Sequence, residues 1–251
     1  MQYVKKNLEQ LSHMLAQQFV NQAKFNISNS GSFHVALSGG NTPQLFYSLL
    51  ANKPYVDQID WQFVHIYQTD ERFVPESHID NNFNMISSRF LSHVSLNVAN
   101  IHRIKTEDIT PHESAILYEN KLNSNLPKNE KGLPQFDFVL LGVGVDGHIA
   151  SLFPDDKESL NSNNIVVNID VKHLQSRRIS LTLQAINSAI LVAVLVAGES
   201  KAHVVKSVFS NLGEFEYPIQ LLKPSRDISW YIDYASAGSH IEKISNFFEH
   251  E

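Results

Sequence analysis

The chain has 251 residues, of which 43% are hydrophobic and 18% charged, which is typical of a globular protein with a sizeable apolar core. Its formal charge is -6, from 26 acidic and 20 basic residues. Because it has no long run of Lys or Arg, we do not expect it to bind a nucleic-acid backbone. It has no cysteine, which excludes disulfides, thiolate nucleophiles and cysteine metal sites.

The N-terminal residues lack the apolar core and cleavage site of a signal peptide. No segment approaches the roughly twenty apolar residues of a membrane span. The sequence therefore predicts a cytoplasmic protein with no membrane partner. It does not predict the oligomeric state.

Helical and strand-like patterns alternate along the chain. Leu8, Leu11, Leu15 and Phe19 recur at intervals of three and four residues and predict an amphipathic first helix, which a polar break at 28–32 follows. Further helical patterns are at 43–52, 81–92, 111–122, 199–209 and the C-terminus. Apolar runs that predict strands are at 33–37, 61–68, 136–141, 165–169, 178–183, 190–196 and 228–233.

Two of the predicted helices have start signals. Thr42 suits an N-cap with Pro43 as the first helical residue. Thr110 and Glu113 have the spacing of a capping box. A polar linker at 123–135 follows the second of these helices and is a candidate for a subdomain seam or a mobile surface loop.

Apolar strands that alternate with helices predict an α/β fold with a mainly parallel sheet and helices on both faces. Ligands of such folds bind outside the carboxyl ends of the strands. Three unusual loops, at 38–43, 69–72 and 142–148, each follow a predicted strand. We therefore expect these loops to form one site.

The first of these loops leads from a strand into a helix, where free N–H groups and the helix dipole favour an anion. Its candidate phosphate-binding residues are Ser38, Gly39, Gly40 and Thr42. The alternative is a tight turn with a structural cap. The loop lacks the lysine and hydroxyl residue that end a Walker loop.

The second loop contains Asp70, Glu71 and Arg72 in succession. Their side chains cannot all face one way, so at least one carboxylate is expected to make structural bonds. Arg72 is the candidate ligand contact, since its planar guanidinium can grip a phosphate or polarise a carbonyl. A surface ion-pair cluster is the alternative. Lys201 is a further candidate phosphate partner, with a solvated lysine as its alternative.

The third loop belongs to the most informative segment, FDFVLLGVGVDGHIASLFP at 136–154. It places Asp146 and His148 in a glycine-punctuated turn directly after an apolar strand. His148 is the candidate general base, since imidazole titrates near neutrality, and Asp146 is suited to orient its ring. A buried, hydrogen-bonded histidine with a structural aspartate is the alternative.

Other chemistries have less support. The turn spells G-x-G-x-x-G, but Pro154 follows too soon for the long helix that a dinucleotide site needs. No H-E-x-x-H or comparable spacing indicates a metal site. The absence of G-x-S-x-G disfavours a serine hydrolase.

Three segments together resemble the 6-phosphogluconolactonase family: ALSGGNTP at 36–43, TDERFVP at 69–75 and the segment at 136–154. Segments at 178–187 and 198–202 support the resemblance. It implies a single α/β domain over 1–251, similar to the glucosamine-6-phosphate deaminase and ribose-5-phosphate isomerase folds. It also implies hydrolysis of 6-phospho-D-glucono-1,5-lactone in the oxidative pentose phosphate pathway. No cofactor or metal is expected, and glucose-6-phosphate dehydrogenase would be the functional partner that makes the substrate.

Under this hypothesis His148 activates water, and Asp146 orients the water or the histidine. Arg72, with nearby backbone N–H groups, stabilises the tetrahedral intermediate or binds the phosphate. Asp70 is a site residue by resemblance. The phosphate anchors would be Ser38, Gly39, Gly40, Thr42 and Lys201. In two places the chain departs from the family pattern: Asn81 stands where serine is usual, and Asn41 is an unfamiliar residue in the glycine loop.

Two other functions stay open from the sequence. Glucosamine-6-phosphate deaminase shares the glycine loop and the Asp-Gly-His turn, but its pattern has glutamate where this chain has Phe153. A phenylalanine cannot transfer protons. A non-catalytic sugar-phosphate sensor would keep the loop at 38–43 but would not need His148.

Overall fold

The computed structural model of the chain describes residues 1–210 and 217–238. Within these ranges ten strands form two sheets. The strands are β1 (Gln2–Lys5), β2 (Phe33–Leu37), β3 (Val64–Gln68), β4 (Asp70–Arg72), β5 (Ile101–His102), β6 (Phe138–Gly142), β7 (Val166–Val171), β8 (Ser176–Leu181), β9 (Leu191–Val196) and β10 (Asp227–Asp233).

The larger sheet has seven strands in the order β1-β10-β9-β6-β2-β3-β5, and all its neighbouring strands are parallel. The predicted parallel sheet is therefore confirmed. Its carboxyl ends share one edge, so the loops that follow β2, β3, β6 and β9 are brought together there.

The helices lie on both faces of this sheet, as predicted. They are α1 (Leu8–Ser30), α2 (Gln44–Leu50), α3 (Asn82–Arg89), α4 (Pro111–Asn125), α5 (Lys157–Leu160), α6 (Leu183–Ser188), α7 (Ala202–Phe209) and α8 (Tyr234–Ala237). In β6, Phe138 and Leu140 pack into the core that α1, α2 and α3 cover, whereas Val139 and Leu141 pack into the opposite core. Burial on both faces explains why β6 is an almost unbroken apolar run.

The smaller sheet is antiparallel, in the order β4-β8-β7. Its strand β4 consists of the residues predicted as a loop after β3, so that prediction is wrong in detail. Asp70 pairs with Ser180 and Arg72 pairs with Arg178. A three-residue strand is too short to show a period-two pattern, and it forms because β8 offers a free edge.

The sequence placed some boundaries incorrectly. α1 continues through the predicted polar break to Ser30 and ends at Gly31, whose φ of 81° is left-handed. Thr42 is not the predicted N-cap, because α2 begins at Gln44 with Pro43 at the cap position and no side-chain cap hydrogen bond. Composition alone located the turns but not the residue at which each helix starts or ends.

The capping box of α4 is confirmed. Thr110 Oγ1 accepts from the Glu113 N–H at 3.2 Å, and Glu113 Oε2 accepts from the Thr110 N–H at 2.9 Å. The predicted linker at 123–135 contains the end of α4 and a turn closed by a bridge between Lys128 and Pro134. Of the predicted terminal helix, α8 is seen, and residues beyond 238 lie outside the described ranges.

Candidate active site

The four loops at the carboxyl edge of the parallel sheet enclose one cleft of about 460 Å³. Most of the residues that the sequence singled out line it: Ser38, Gly39, Gly40, Thr42, Asp70, Arg72, His148 and Lys201. Asp146 is not a lining residue, but its side chain contacts His148. The expectation that the separate loops form one site is therefore met by the geometry.

His148 and Asp146 form a hydrogen-bonded pair. His148 Nδ1 lies 2.5 Å from Asp146 Oδ1. Burial alone would raise the pKa of Asp146, but the hydrogen bond and charge of His148 lower that pKa to about 2. An ionised carboxylate can only accept, so in the neutral imidazole Nδ1 carries the proton and donates a hydrogen bond to Asp146, which leaves the lone pair on Nε2.

The glycines around this pair allow its geometry. The Gly144 N–H donates to the His148 carbonyl at 2.8 Å, and the Gly147 N–H donates to the Gly144 carbonyl at 3.1 Å. A Cβ atom on Gly144 would overlap His148 Nδ1 and Asp146 Oδ1. The sequence therefore needs glycine at 144 because the histidine folds back over that residue.

The His148 ring packs against Phe153, with ring centroids 4.6 Å apart. Phe153 is only 2% exposed and also lies against the Arg178 guanidinium, whose carbon is 5.9 Å from the ring centroid. A buried apolar ring thus packs against the imidazole. Phe153 restricts the orientation of both His148 and Arg178.

Arg178 is a lining residue that the sequence analysis did not single out. It is 8% exposed and pairs directly with Arg72 across β4 and β8. Burial lowers the pKa of Arg178, and the charge of Arg72 lowers it further, while Asp70 and Asp146 act in the opposite direction. Like charges placed opposite each other destabilise a sheet unless an anion compensates them.

The two arginines retain donors for a ligand. The Nε–H groups of Arg72 and Arg178 are buried and have no hydrogen-bond partner within the described ranges. Arg72 Nη1 donates to the Asp80 carbonyl at 3.0 Å, which holds the side chain at the cleft. Buried, unpaired guanidinium donors are costly in an empty site, and a phosphate oxygen is a strong acceptor for them.

The carboxylates of Asp70 and Glu71 have different surroundings. Asp70 lines the cleft, whereas Glu71 is fully buried and accepts from four N–H groups at 2.7 to 2.8 Å. These donors are the Gln68 side-chain amide and the backbone of Arg72, Asn82 and Phe83. Burial raises the pKa of Glu71 to about 7, although the four hydrogen bonds lower it. The expectation that one carboxylate of this motif is structural is confirmed for Glu71.

The glycine loop packs directly on α3. A Cβ atom on Gly39 would overlap the Asn82 side chain, which itself lines the cleft and donates to the Asp70 carbonyl at 3.1 Å. Gly40 has a φ of 94°, which favours glycine. The Ser38 hydroxyl is buried and has no partner among the described residues. It is therefore free to bond a ligand.

The two departures from the family pattern have simple structural accounts. Asn81 is the N-cap of α3, and its Oδ1 accepts from the Asn84 N–H at 2.8 Å. Asparagine and serine are equally good N-caps. Asn41 is exposed and accepts from the Gln44 side chain at 3.1 Å.

Lys201 is half-buried and is not a freely solvated lysine. Its Nζ donates to the Val143 carbonyl at 2.6 Å, beside the loop that carries His148. Burial lowers the pKa of Lys201, and the charge of Asp146 partly offsets this. The cation therefore lies near the histidine end of the cleft.

Neither a metal cluster nor a membrane span is found in the part of the chain that the structure describes. In residues 1–210 and 217–238 no group of three His, Asp or Glu side chains is arranged to hold a metal ion. The helices within these ranges are also too short or too polar to cross a bilayer.

Comparison with known proteins identifies the family of this chain. Residues 6–230 match the family model described as glucosamine-6-phosphate isomerases/6-phosphogluconolactonase. The chain belongs to this family. It is 35% identical to the 6-phosphogluconolactonase of Haemophilus influenzae over 226 residues. The aligned region covers 88% of this chain and 92% of the relative.

A human relative, the GDH/6PGL endoplasmic bifunctional protein, is 34% identical over 90% of this chain, which spans 29% of that longer protein. Among solved structures, 6-phosphogluconolactonase from Trypanosoma brucei superposes with a TM-score of 0.83 at 25% identity, covering 94% of this chain and 97% of the other. A monomeric glucosamine-6-phosphate deaminase has the same fold, with a TM-score of 0.78 at 20% identity over 94% of this chain and 98% of the other.

Sequence reasoning missed Arg178 and Asn82, which line the cleft, and Ser151, which does not line it but contacts the lining residue Asp70. Arg178 was visible only as the first residue of a predicted strand, and Ser151 as a small residue between apolar ones. Strand pairing brings Arg178 to the cleft, and a tight turn brings Ser151 to Asp70. No local pattern reveals either contact.

Proposed function

We propose that this protein is a 6-phosphogluconolactonase, a carboxylic ester hydrolase that converts 6-phospho-D-glucono-1,5-lactone to 6-phosphogluconate in the oxidative pentose phosphate pathway. The observation that carries the proposal is the pairing of two functions in one cleft. The cleft is lined by His148, which Asp146 holds, and by a cross-strand pair of arginines. The first suits water activation and the second suits a phosphate.

In the proposed reaction, the Nε2 lone pair of His148 takes a proton from water as the water oxygen attacks the lactone carbonyl carbon. The resulting imidazolium is stabilised by the Asp146 carboxylate. Collapse of the tetrahedral intermediate breaks the bond between that carbon and the ring oxygen, which takes the proton back from His148. The carboxylic acid product then releases its own proton at neutral pH.

The charge that develops on the carbonyl oxygen needs a fixed positive neighbour. Lys201 meets this need, because its ammonium is held beside the His148 loop through the Val143 carbonyl. The sequence predicts Lys201 as a phosphate anchor, and we propose this second role from its contact beside the His148 loop.

The 6-phosphate is proposed to bind at the other end of the cleft. Arg72 and Arg178 supply paired guanidinium donors, and the loop from Ser38 to Thr42 supplies a free hydroxyl and backbone N–H groups. Binding a remote phosphate positions the lactone ring against His148. No cofactor is needed, since a lactone is already an activated ester.

The deaminase alternative has less support because Phe153, a buried ring that packs on His148, stands at the position of the deaminase glutamate. Fresh 6-phosphogluconolactone should release acid much faster with the protein than without it. Glucosamine 6-phosphate should release no ammonia. Ammonia release, or acid release at the spontaneous rate, would overturn the proposal, and the second result would favour a sensor.

Several wider expectations belong to this proposal. A functional link to glucose-6-phosphate dehydrogenase is supported by the bifunctional human relative. A single domain over 1–251 is supported by the pairing of Gln2 in β1 with Trp230 in β10, which joins the two ends of the described chain in one sheet. The cytoplasmic location stays a prediction.

A further inference from the structure

A buried hydroxyl holds one of the carboxylates of the cleft. Ser151 is fully buried, does not line the cleft, and donates from Oγ to Asp70 Oδ2 at 2.7 Å. The other carboxylate oxygen, Oδ1, accepts from Thr69 Oγ1 at 3.1 Å. Asp70, itself 5% exposed, is therefore fixed through both oxygens.

The position of Ser151 is itself rigid. Its N–H donates to Ser180 Oγ at 3.1 Å, and the neighbouring turn is closed by hydrogen bonds between Ile149 and Leu152. Ala150, the preceding residue, has a φ of 49°, a left-handed conformation that only a well-determined turn maintains. The serine hydroxyl thus approaches Asp70 from a fixed direction.

Asp70 lies on the same face of the small sheet as the arginine pair. Residues two apart on a strand point to the same side, so the Asp70 side chain is next to Arg72 on β4. Their strand partners, Ser180 and Arg178, are likewise two apart on β8. Asp70 is the anion placed beside two opposed cations, with no direct ion pair to either within the described ranges.

We propose that Ser151 is a positioning residue for phosphate binding, which acts by holding Asp70 as a fixed counter-anion to Arg72 and Arg178. With the carboxylate in place, the two guanidinium groups can stay opposite each other in the empty cleft. If the carboxylate rotates, their mutual repulsion displaces them and the phosphate loses part of its site. Asp70 in this role is not the base, which is His148.

The test rests on the proposed lactonase activity and uses steady-state kinetics of the full chain. Ser151→Ala should raise KM for the phosphorylated lactone about tenfold, the usual effect of losing a hydrogen bond to a charged group, with kcat within about threefold. The kinetics of the unphosphorylated lactone should be nearly unchanged, because that substrate does not use the arginines. A merely structural loss would affect both substrates.

A double-mutant cycle decides whether Ser151 acts through Asp70. In an Asp70→Asn background, Ser151→Ala should have little further effect on KM. Additive effects in the double variant would overturn the inference, as would an unchanged KM in Ser151→Ala. If wild type itself shows no lactonase activity, the proposed function fails instead, so the two failures are distinguishable.

Two further variants guard against simple misfolding. Ser188→Ala removes another buried hydroxyl, which donates to backbone carbonyls of Pro134 and Ala185 away from the cleft, and should leave KM unchanged. Ser151→Cys keeps the packing but provides a weaker donor. Should Ser151→Ala fail to fold, the cysteine variant is expected to raise KM severalfold, and a wild-type KM in it would overturn the inference.

Discussion

Arg72 and Arg178 stand opposite each other on β4 and β8, although 105 residues separate them in sequence. Both have a buried Nε–H without a partner among the described residues. The two charges repel each other, an effect that Asp70 counters, and a dianion would satisfy their free donors. The proposed phosphate site therefore comes at the expense of local stability, a common property of functional sites.

Arg178→Met should separate binding from stability. We expect KM for the phosphorylated lactone to rise about 10- to 100-fold, from the loss of charge-assisted hydrogen bonds, while an unphosphorylated lactone is hydrolysed as before. The melting temperature should stay equal or rise, because the repulsion with Arg72 is removed and a long apolar chain fills the space. Arg177→Met, at the exposed neighbour that packs on Phe73, is the matched control and should leave both KM values unchanged. Equal losses on both substrates would contradict phosphate binding by Arg178.

The Asp146–His148 pair should behave as one catalytic unit. His148→Ala is expected to lower kcat by about 10² to 10⁴-fold with the fold intact. Asp146→Asn should lower kcat as well, because an amide can donate to Nδ1 and so favour the wrong tautomer. His173→Ala removes a second histidine that packs edge-on against Phe153, and it serves as the control. Near-normal turnover in His148→Ala, measured by acid release, would remove the proposed base.

Gly144→Ala should inactivate the enzyme without touching an ionisable group. The new methyl group would overlap His148 Nδ1 and Asp146 Oδ1, so the imidazole must leave its position, and kcat should fall at least about 100-fold, as for other losses of general base. Gly142→Ala provides a control two residues earlier, because a Cβ there meets nothing within 4 Å. Equal activity in the two variants would show that the imidazole does not need its observed position.

Glu71 should make folding stability depend on pH. Burial raises its pKa to about 7 in the folded protein. Between about pH 4.5 and 7, Glu71 is therefore protonated in the folded state and ionised in the unfolded state. The stabilisation is present in full below about pH 4.5 and is lost as pH rises through 7, by up to about 3 kcal/mol.

Urea unfolding of wild type and Glu71→Gln at pH 5 and pH 8 measures the contribution of Glu71 to the free energy of unfolding. The other titrating groups contribute equally to both proteins. The wild type should lose more stability between the two pH values than the variant. Parallel pH dependences would mean that the four N–H donors keep Glu71 ionised throughout and outweigh its burial.

Local chemistry in the sequence was enough to predict the Asp146–His148 turn and the capping box of α4. It also led to the proposal that the loop after β2 binds an anion. These features depend on neighbours within a few residues, and glycine, proline and capping residues have strong local preferences. The apolar runs likewise predicted a sheet with both faces covered, because a strand buried on both sides has no polar alternation.

What the tertiary structure decided are the relationships between residues far apart in the chain. The short strand β4, the opposition of Arg72 and Arg178, and the hold of Ser151 on Asp70 all depend on the register of one strand against another or on a turn that meets it. A slip of one residue would turn every side chain of a strand to the opposite face. The sequence by itself thus determined which loops meet at the cleft. Only the packing of the sheets determined which charges meet there, because pairing register is set by the whole fold.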